Sequence, residues 1–190
     1  AELVAEIDRE DLVTAIDPMF KRLAYIDFLA MTMDHVPERR PHEDGALWGQ
    51  AVQHVLMPRL FFPNKPTYVS DSEQTMKYTG RKFAGASKGT SVSLGYMAES
   101  YVDFGRYGMF VPVFLLGLVW GLMYYYFVSR SSYTTVGYAF ATTVLINANK
   151  FEITSLKLLG GVLMKFIVMA LLLGIVMPWL YGWILKKKQA

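Results

Sequence analysis

Two long apolar runs without a charged side chain limit what this chain can fold into. They cover residues 107–128 and 166–185. Each has the roughly 20 residues that a helix needs to cross a hydrocarbon core of about 30 Å. In a bilayer the backbone polar groups must be hydrogen-bonded within the chain, so such segments form helices. The sequence therefore predicts an integral membrane protein whose polar N-terminal half lies outside the bilayer.

Charge is distributed unevenly along the chain. Of the 16 acidic residues, 15 precede residue 107 and only Glu152 follows it. The net charge of +3 comes from basic residues that flank the apolar runs, because residues 1–106 hold 12 Lys and Arg against 15 Asp and Glu. A basic surface for nucleic acid is therefore not expected. The chain has no cysteine, which excludes disulfides and thiolate metal sites.

Short helices are predicted near the N-terminus. Residues 2–17 carry apolar side chains near helical spacing, with acidic residues between them. Asp17 followed by Pro18 is typical of a helix start, and the helix that follows is predicted to end before Pro37. Neither segment is long and apolar enough to span a bilayer. Both are expected to lie at the membrane surface or against other helices.

Proline and polar residues dominate the next stretch. Five of the eight prolines lie within residues 37–66, which leaves room for one short helix around residues 47–57. Residues 67–95 are rich in Ser, Thr, Gly and Lys and are predicted to form a polar loop. A loop of this length is usually either functional or disordered. The chemistry of this protein is therefore sought in the polar half.

The orientation in the membrane follows from the number of spans. Residues 131–149 are uncharged but few, and we expect them to return the chain across the membrane before a last span at residues 159–185. Three lysines follow at residues 186–188, and basic residues that flank a span stay in the cytoplasm. Counting back through three spans places residues 1–106 outside. Without the middle span they would face the cytoplasm.

The predicted fold is therefore an all-α integral membrane protein. Residues 1–106 form a large, partly helical extracytoplasmic loop region with a proline-rich segment. Residues 107–190 form a membrane domain of about three transmembrane helices. The chain begins with Ala-Glu-Leu-Val, without an initiator Met or the pattern of a signal peptide. We therefore expect it to be either a piece of a longer polytopic protein, and so part of a larger polytopic bundle, or a processed chain.

The most specific polar segment is residues 57–66, where two cations lie among three prolines. Proline restricts its own backbone and that of the preceding residue, so Arg59 and Lys65 are presented from a stiff frame. A guanidinium binds phosphate oxygens bidentately and a lysine adds a point charge, which favours a phosphate ligand. The alternative is an interfacial turn whose cations extend to the membrane surface.

Two acidic residues precede the first span. Glu99 and Asp103 are four residues apart, so on a helix they would share one face. Burial beside the bilayer would raise their pKa values and make either one a candidate general base. The alternative is that they cap or flank the span and pair with Arg106.

The three histidines supply a second candidate base. His42 lies in a proline-flanked turn and is followed by Glu43 and Asp44, a setting that could provide a base near neutral pH. The spacing of His35, His42 and His54 fits no closed metal motif. No metal and no other cofactor is therefore expected.

These motifs together resemble the bacterial O-antigen polymerases, the Wzy-type oligosaccharide repeat unit polymerases. Members of that family have, in order along the chain, a helix that begins with Arg, a segment that contains Pro and Gly, and the dipeptide Pro-Arg. An aromatic-rich stretch and the dipeptide Lys-Pro follow. A polar loop then leads to an acidic residue and a Phe-Gly pair. The corresponding positions here are Arg22, residues 37–45, residues 58–59, residues 63–66 and residues 99–108. The resemblance covers about residues 22–128 and departs at Phe61 and Phe62, where the family more often has Trp. Because members have many more spans, this chain would correspond to a C-terminal portion.

The resemblance implies a membrane glycosyltransferase of the bacterial cytoplasmic membrane. It would polymerise undecaprenyl-pyrophosphate-linked oligosaccharide repeat units into a surface polysaccharide without a metal. Its expected partners are the lipid-linked oligosaccharide, membrane lipids, and further helices of the same protein or of a second copy. The departing pyrophosphate needs a cationic cradle because negative charge develops there as the glycosidic bond breaks.

The residues expected to serve this reaction come from several segments. Those expected to be catalytic are Arg59, Lys65, Glu99, Asp103 and His42. Those expected to bind substrate are Arg22, Arg81, Arg106 and Trp48. Trp48 would stack on a sugar ring, although a single aromatic side chain more often anchors packing.

A non-catalytic scaffold subunit of a polysaccharide or secretion assembly is the alternative function. Its outer loop would bind protein, so the loss of Arg59 or Lys65 would be tolerated while changes at Phe61 and Phe62 would break the complex. An O-antigen ligase, which uses the same class of donor, also stays open. A transporter is disfavoured because no acidic residue lies inside a predicted span.

Overall fold

The computed structural model describes residues 25–57, 62, 69–83 and 91–182. Within these ranges the regular elements are helices and there is no strand. The helices are α1 (Tyr25–His35), α2 (Ala46–Leu56), α3 (Asp71–Thr79), α4 (Tyr96–Gly108), α5 (Phe110–Arg130), α6 (Thr134–Leu145) and α7 (Ser155–Leu171). A 3-10 turn (Ile146–Asn149) follows α6. Helix α7 continues through a π-helical turn (Leu172–Val176) to Gly182, the last described residue.

Some predicted features lie outside the described residues. They are the helix at residues 2–17, the helix start at Asp17-Pro18, and the cationic candidates Arg22, Arg59 and Lys65. Inside the described ranges, α1 ends before Pro37 and α2 lies where the short helix was expected. The fold class is all-helical in the described part of the chain, as predicted.

Two helices are long and apolar enough to cross a membrane. They are Phe110–Arg130, with 21 residues, and Ser155–Gly182, with 28 residues. Their positions correspond to the first and last predicted spans, and only 17% and 11% of their most apolar windows are buried inside the protein. The predicted middle span corresponds to α6 and its 3-10 turn, which are shorter. That this pair also crosses the membrane stays a prediction.

Helices α5, α6 and α7 pack beside one another, and α6 runs antiparallel to both α5 and α7. The rings of Phe127 and Phe140 lie 6.2 Å apart, which places the end of α5 beside the middle of α6. Tyr133 meets Tyr181 with ring centroids 5.0 Å apart, so the far end of α7 lies at the α5–α6 turn. The chain therefore leaves α4 along α5, returns along α6 and leaves again along α7.

Helix α4 lies between two apolar cores. Tyr96 packs in the core of the α5–α6–α7 bundle, which also contains Leu116, Phe127 and Val144. On its other side, α4 contributes to a second core with Val36, Leu47, Tyr78, Leu94, Ala98, Tyr101 and Val102. Because both faces of α4 are covered, its polar residues Glu99, Ser100 and Asp103 are buried and must find partners inside the protein.

The predicted polar loop contains a helix, α3, and this part of the prediction was wrong. Ser70 caps α3, since its hydroxyl accepts the N–H of Glu73 at 3.3 Å. Gly80 ends the helix with a φ of 65°, a left-handed conformation that suits glycine. Two polar side chains fix α3 against the segment that contains Val92: Val92 N–H donates to Ser72 Oγ at 3.0 Å, and Thr75 Oγ1 donates to the Val92 carbonyl at 2.9 Å.

Candidate functional site

Asp103 anchors the start of α2 to α4. The side chain is buried, and its Oδ1 accepts the Leu47 N–H at 3.1 Å while its Oδ2 accepts the Trp48 N–H at 2.8 Å. Both donors belong to the first turn of α2, whose N–H groups have no partner within the helix and whose dipole favours negative charge. The Trp48 indole also donates to Ser100 Oγ at 3.0 Å, so α4 binds α2 through two of its residues.

Glu99 makes the same kind of contact with α7. It is fully buried, and its Oε2 accepts the N–H of Ser155, the first residue of α7, at 2.7 Å. Its Oε1 accepts the side-chain amide of Gln74 from α3 at 2.9 Å. An ion pair between Asp71 and Lys157 joins α3 and α7 a second time. Glu99 thus links three helices at the point where α7 begins.

The expectation that Glu99 and Asp103 share a buried helix face agrees with the structure. Helix α4 carries both, and each accepts hydrogen bonds from the first turn of another helix. Arg106 is exposed, and the described residues contain no ion pair between it and either carboxylate. This geometry gives the two acids a positioning role, because their oxygens are occupied by protein donors and face away from solvent.

His42 has a geometry suited to a base. Its Nδ1 lies 3.1 Å from the Val102 carbonyl oxygen, which can only accept, so Nδ1 carries the proton. That assignment leaves Nε2 as the basic nitrogen. The ring is half-buried and meets Tyr101 edge-on, with centroids 5.6 Å apart. Backbone and ring contacts therefore fix the orientation of His42.

A break in α4 creates the place for this histidine. Gly105 has a φ of 69° and a ψ of −170°, which are not helical values, and the positive φ favours glycine. A Cβ at this position would lie 3.4 Å from His42 Nε2. The Val102 carbonyl, one turn earlier, accepts the Glu43 N–H at 3.1 Å as well as the His42 ring. Because residue 105 is a glycine, no side chain at this position contacts His42 Nε2.

Next to His42, a polar cluster surrounds Tyr78. The Tyr78 hydroxyl donates to Glu43 Oε1 at 2.8 Å, and Lys77 Nζ donates to the same oxygen at 3.0 Å. The Arg40 guanidinium lies over the Tyr78 ring, 5.7 Å from its centroid. The hydrogen bond from Tyr78, with help from Lys77, lowers the pKa of Glu43, while burial and Glu43 raise the pKa of Tyr78. The cluster holds Glu43 ionised beside the candidate base.

Sequence reasoning did not find this cluster as a unit. Glu43 was noted only as a neighbour of His42, and Lys77 and Arg40 were not singled out. Tyr78 lies 35 positions from Glu43, and only the packing of α3 brings them together. Recognition of α3 from its Ser70 cap would have placed Lys77 and Tyr78 at the end of a helix, but not beside Glu43.

The remaining predicted residues are dispersed. Arg81 is exposed just after α3, and Arg106 is exposed at the end of α4. Trp48 is 8% exposed and packs in the bundle core, so its ring anchors packing and leaves little surface for a sugar. In the described ranges, no group of three or more His, Asp or Glu side chains is placed to hold a metal ion.

An apolar groove of about 570 Å³ lies between α2 and α5. One wall is formed by Gly45, Trp48, Gly49, Val52 and Gln53, the other by Val111, Pro112, Leu115, Leu116 and Val119. Phe104 lines the groove at the end nearest the break in α4, and Leu159 lines it from α7. Of the lining side chains, only Gln53 is polar. The groove therefore suits a hydrocarbon ligand rather than a charged one.

A comparison with protein families extends over almost the whole chain. A family model described as a domain of unknown function (DUF8712) matches residues 3–190. The chain belongs to this family. No curated protein and no solved structure matches the chain. The match therefore includes both the polar half of the chain and the two long apolar helices.

The burial of Glu99 predicts a pH-dependent stability. Burial raises its pKa from 4.5 to about 7, although hydrogen bonds from Ser155 act in the opposite direction. The folded protein therefore holds this proton more tightly than the unfolded chain, and the free energy of unfolding decreases as the pH rises from about 4.5 to 7. Between about pH 5 and pH 8 this loss should be roughly 2 kcal/mol.

The measurement compares the wild-type protein with Glu99→Gln in detergent, by denaturant unfolding at about pH 5 and pH 8. The amide of the variant does not ionise, so its stability should change less over this range. Subtracting the two profiles removes the contribution of every other titrating group. Parallel profiles for both proteins would show that Glu99 is not the group responsible.

Proposed function

We propose that this protein is a membrane glycosyltransferase that polymerises oligosaccharide repeat units carried on undecaprenyl pyrophosphate. The observation that carries the proposal is the geometry of His42. Its Nδ1 is held by the Val102 carbonyl, and its Nε2 faces Gly105, which has no side chain. A histidine fixed in this tautomer is suited to remove a proton from a hydroxyl group near neutral pH.

In the proposed reaction the acceptor is a sugar hydroxyl of one lipid-linked repeat unit. Its oxygen forms a bond with the anomeric carbon of the donor chain, and its proton passes to His42 Nε2. The bond between that carbon and the pyrophosphate oxygen breaks, and undecaprenyl pyrophosphate departs with the electron pair. Cations must stabilise the departing group, a role that the proposal gives to Arg59 and Lys65, with Arg106 and Arg81 as further candidates.

The position of His42 relative to the apolar helices supports this proposal. His42 packs against the end of α4, and α5 begins two residues after that helix. A lipid-linked substrate presents its reacting sugar at the same level, directly outside the hydrocarbon core. The proposal places residues 1–106 on the outer face of the bacterial cytoplasmic membrane and the C-terminus in the cytoplasm.

The proposal can be tested by measuring the lengths of the surface polysaccharide in cells that lack the full-length protein. Restoring the wild-type protein should restore a ladder of polymer lengths, whereas Arg59→Ala should leave mainly single repeat units. Arg39→Ala removes an exposed cation outside the candidate site and serves as the control. A normal ladder with Arg59→Ala, at a normal membrane level of the protein, would count against the assigned role of Arg59. An unchanged ladder without the protein would refute the polymerase.

A scaffold subunit is the second candidate function. This function is favoured by the hydrogen bonds of Glu99 and Asp103, because both carboxylates bind the first turns of other helices rather than face a substrate. A scaffold would keep its partners after substitution of His42. It would lose them after substitution of exposed apolar side chains such as Phe114 and Leu118 on α5.

A further inference from the structure

Lys165 is a charged side chain inside the helix Ser155–Gly182, which is long and apolar enough to cross a membrane. The other charge in this helix, Lys157, lies in the first turn and pairs with Asp71. The uncharged run of residues 166–185 begins directly after Lys165. Such a run of roughly 20 residues matches a hydrocarbon core of about 30 Å. In a membrane, Lys165 therefore lies at the boundary between the hydrocarbon core and one layer of lipid head groups.

Asn147 holds the ammonium group of Lys165 in place. Its Oδ1 accepts a hydrogen bond from Lys165 Nζ at 3.0 Å, and its Nδ2 donates to the Val144 carbonyl at 3.3 Å. Asn147 itself is buried, whereas Lys165 is half-buried. A lysine has three N–H donors, and among the described residues Asn147 alone accepts one of them and no carboxylate pairs with Lys165. Lys165 therefore presents two further donors and a positive charge.

The space beside this cation is open. Gly161 precedes Lys165 by four residues, so it lies on the same face of α7, on the side toward which long helical side chains lean. A Cβ built at Gly161 meets no atom within 4 Å. Met164 and Val168, which lie one residue before Lys165 and three residues after it, are exposed apolar side chains. The site therefore combines a positive charge, open space and apolar surroundings.

A second cation belongs to the turn that contains Asn147. The Lys150 N–H donates to the Asn147 carbonyl at 3.1 Å, and the side chain of Lys150 is exposed. Glu152 is the only acidic residue after residue 107, and the described part of the chain shows no ion pair between it and either lysine. This edge of the helix bundle is therefore positively charged.

We propose that Lys165 and Asn147 form a binding site for the phosphate of an anionic phospholipid, with Lys150 adding to the positive potential. Phosphate oxygens are strong acceptors for the remaining N–H donors of Lys165. Charge complementarity selects an anionic head group, and the exposed apolar side chains on the same part of α7 favour a lipid over a free phosphate ion. The inference needs α7 to cross the membrane, as proposed above, but it does not depend on sugar transfer.

The test measures lipid binding to the full-length protein in detergent by native mass spectrometry. Phosphatidylglycerol and phosphatidylcholine with the same acyl chains are added separately, and the fraction of protein that retains a lipid is compared. The wild-type protein should retain phosphatidylglycerol at about tenfold lower lipid concentration than phosphatidylcholine. Lys165→Met removes the charge but keeps a long side chain, and should abolish this preference. Arg130→Met removes an exposed cation at the end of the other long helix and should bind like the wild type.

Gly161→Leu tests the site without removing its charge. The leucine occupies the open space beside Lys165 and should reduce the preference for phosphatidylglycerol by about fivefold. Gly174→Leu lies on the same long helix and is equally free of neighbouring atoms, so it should retain the preference. Because both variants replace an exposed glycine with leucine, a general effect on the helix would appear in both.

Equal retention of the two lipids by the wild-type protein would overturn the inference, as would an unchanged preference in either Lys165→Met or Gly161→Leu. Competition separates the two sources of phosphate. Inorganic phosphate at the concentration of the lipid should leave phosphatidylglycerol bound, and displacement would show that the ligand is a free anion instead.

The lipid site and the polymerase fail separately. A retained preference for phosphatidylglycerol in a protein that makes no polymer would refute the polymerase and leave the lipid site standing. Normal polymer formation by a protein that binds both lipids equally would refute the lipid site alone.

Discussion

His42→Asn is expected to reduce polymer formation by about 10²- to 10⁴-fold, the range over which a positioned general base accelerates a reaction. The asparagine side-chain amide can replace Nδ1 as the donor to the Val102 carbonyl, so the local structure should be retained. It offers no equivalent of the basic Nε2. The variant therefore separates the chemical role of His42 from its structural one.

Asp44→Asn is the matched control for this prediction. Asp44 is exposed two residues from His42 and has a φ of 48°, a conformation that asparagine tolerates well. The Asp44→Asn substitution removes a carboxylate near His42 without disturbing the contact between His42 and Val102. Loss of activity in Asp44→Asn with retention in His42→Asn would move the base to Asp44 and contradict the assignment.

Asp103→Ala is expected to cause the largest loss of stability, roughly 3 kcal/mol. It leaves the N–H groups of Leu47 and Trp48 buried without an acceptor and removes negative charge from the start of α2. For a chain of this size the midpoint of thermal unfolding should decrease by about 10 °C. Trp48 lies at the affected contact, so tryptophan fluorescence in detergent can follow the transition.

Asp27→Asn provides the comparison for Asp103→Ala. Asp27 also lies in the first turn of a helix, α1, but it is exposed. Its substitution should change the free energy of unfolding by no more than about 0.5 kcal/mol, as is usual for a surface residue. If both variants shift the midpoint equally, the hydrogen bonds that Asp103 accepts from α2 do not stabilise the fold as predicted.

The apolar helices could be predicted because their signal is local. A run of about 20 uncharged apolar residues suffices to indicate a helix that can cross a membrane. The first predicted boundaries, residues 107–128, differ from Phe110–Arg130 by two or three residues. Helix α7 begins earlier than residue 159 because Thr154 caps it, its hydroxyl accepting the Lys157 N–H. Caps of this kind are also local, and a search for them would have corrected the start.

Helix α3 was missed because composition was given more weight than capping. The segment is polar, but Ser70 followed three residues later by Glu73 is a helix-start pattern, and Gly80 is a helix end. Its polar residues are buried rather than solvated, and Gln74 and Thr75 find partners elsewhere in the chain. Only the tertiary structure supplies those partners.

The roles of the acidic residues could be predicted only in part. Spacing alone put Glu99 and Asp103 on one helix face, and the structure agrees. The Ser155 N–H that donates to Glu99 lies 56 positions away in the sequence. The Trp48 and Leu47 N–H groups that donate to Asp103 lie 55 and 56 positions away. No local pattern carries such information. For the same reason the sequence named His42 as a candidate base but could not show that Val102 and Gly105 orient it.

The most direct measurement is the conversion of a synthetic undecaprenyl-pyrophosphate-linked repeat unit by the purified full-length protein, with His42→Asn assayed beside it. With the wild-type protein we expect a ladder of products in chelator-containing buffer and release of undecaprenyl pyrophosphate in step with chain growth. With His42→Asn, the ladder should be nearly absent at the same protein concentration. Products of equal length and rate from both proteins, or no product from a folded wild-type protein supplied with its lipid-linked substrate, would contradict this expectation.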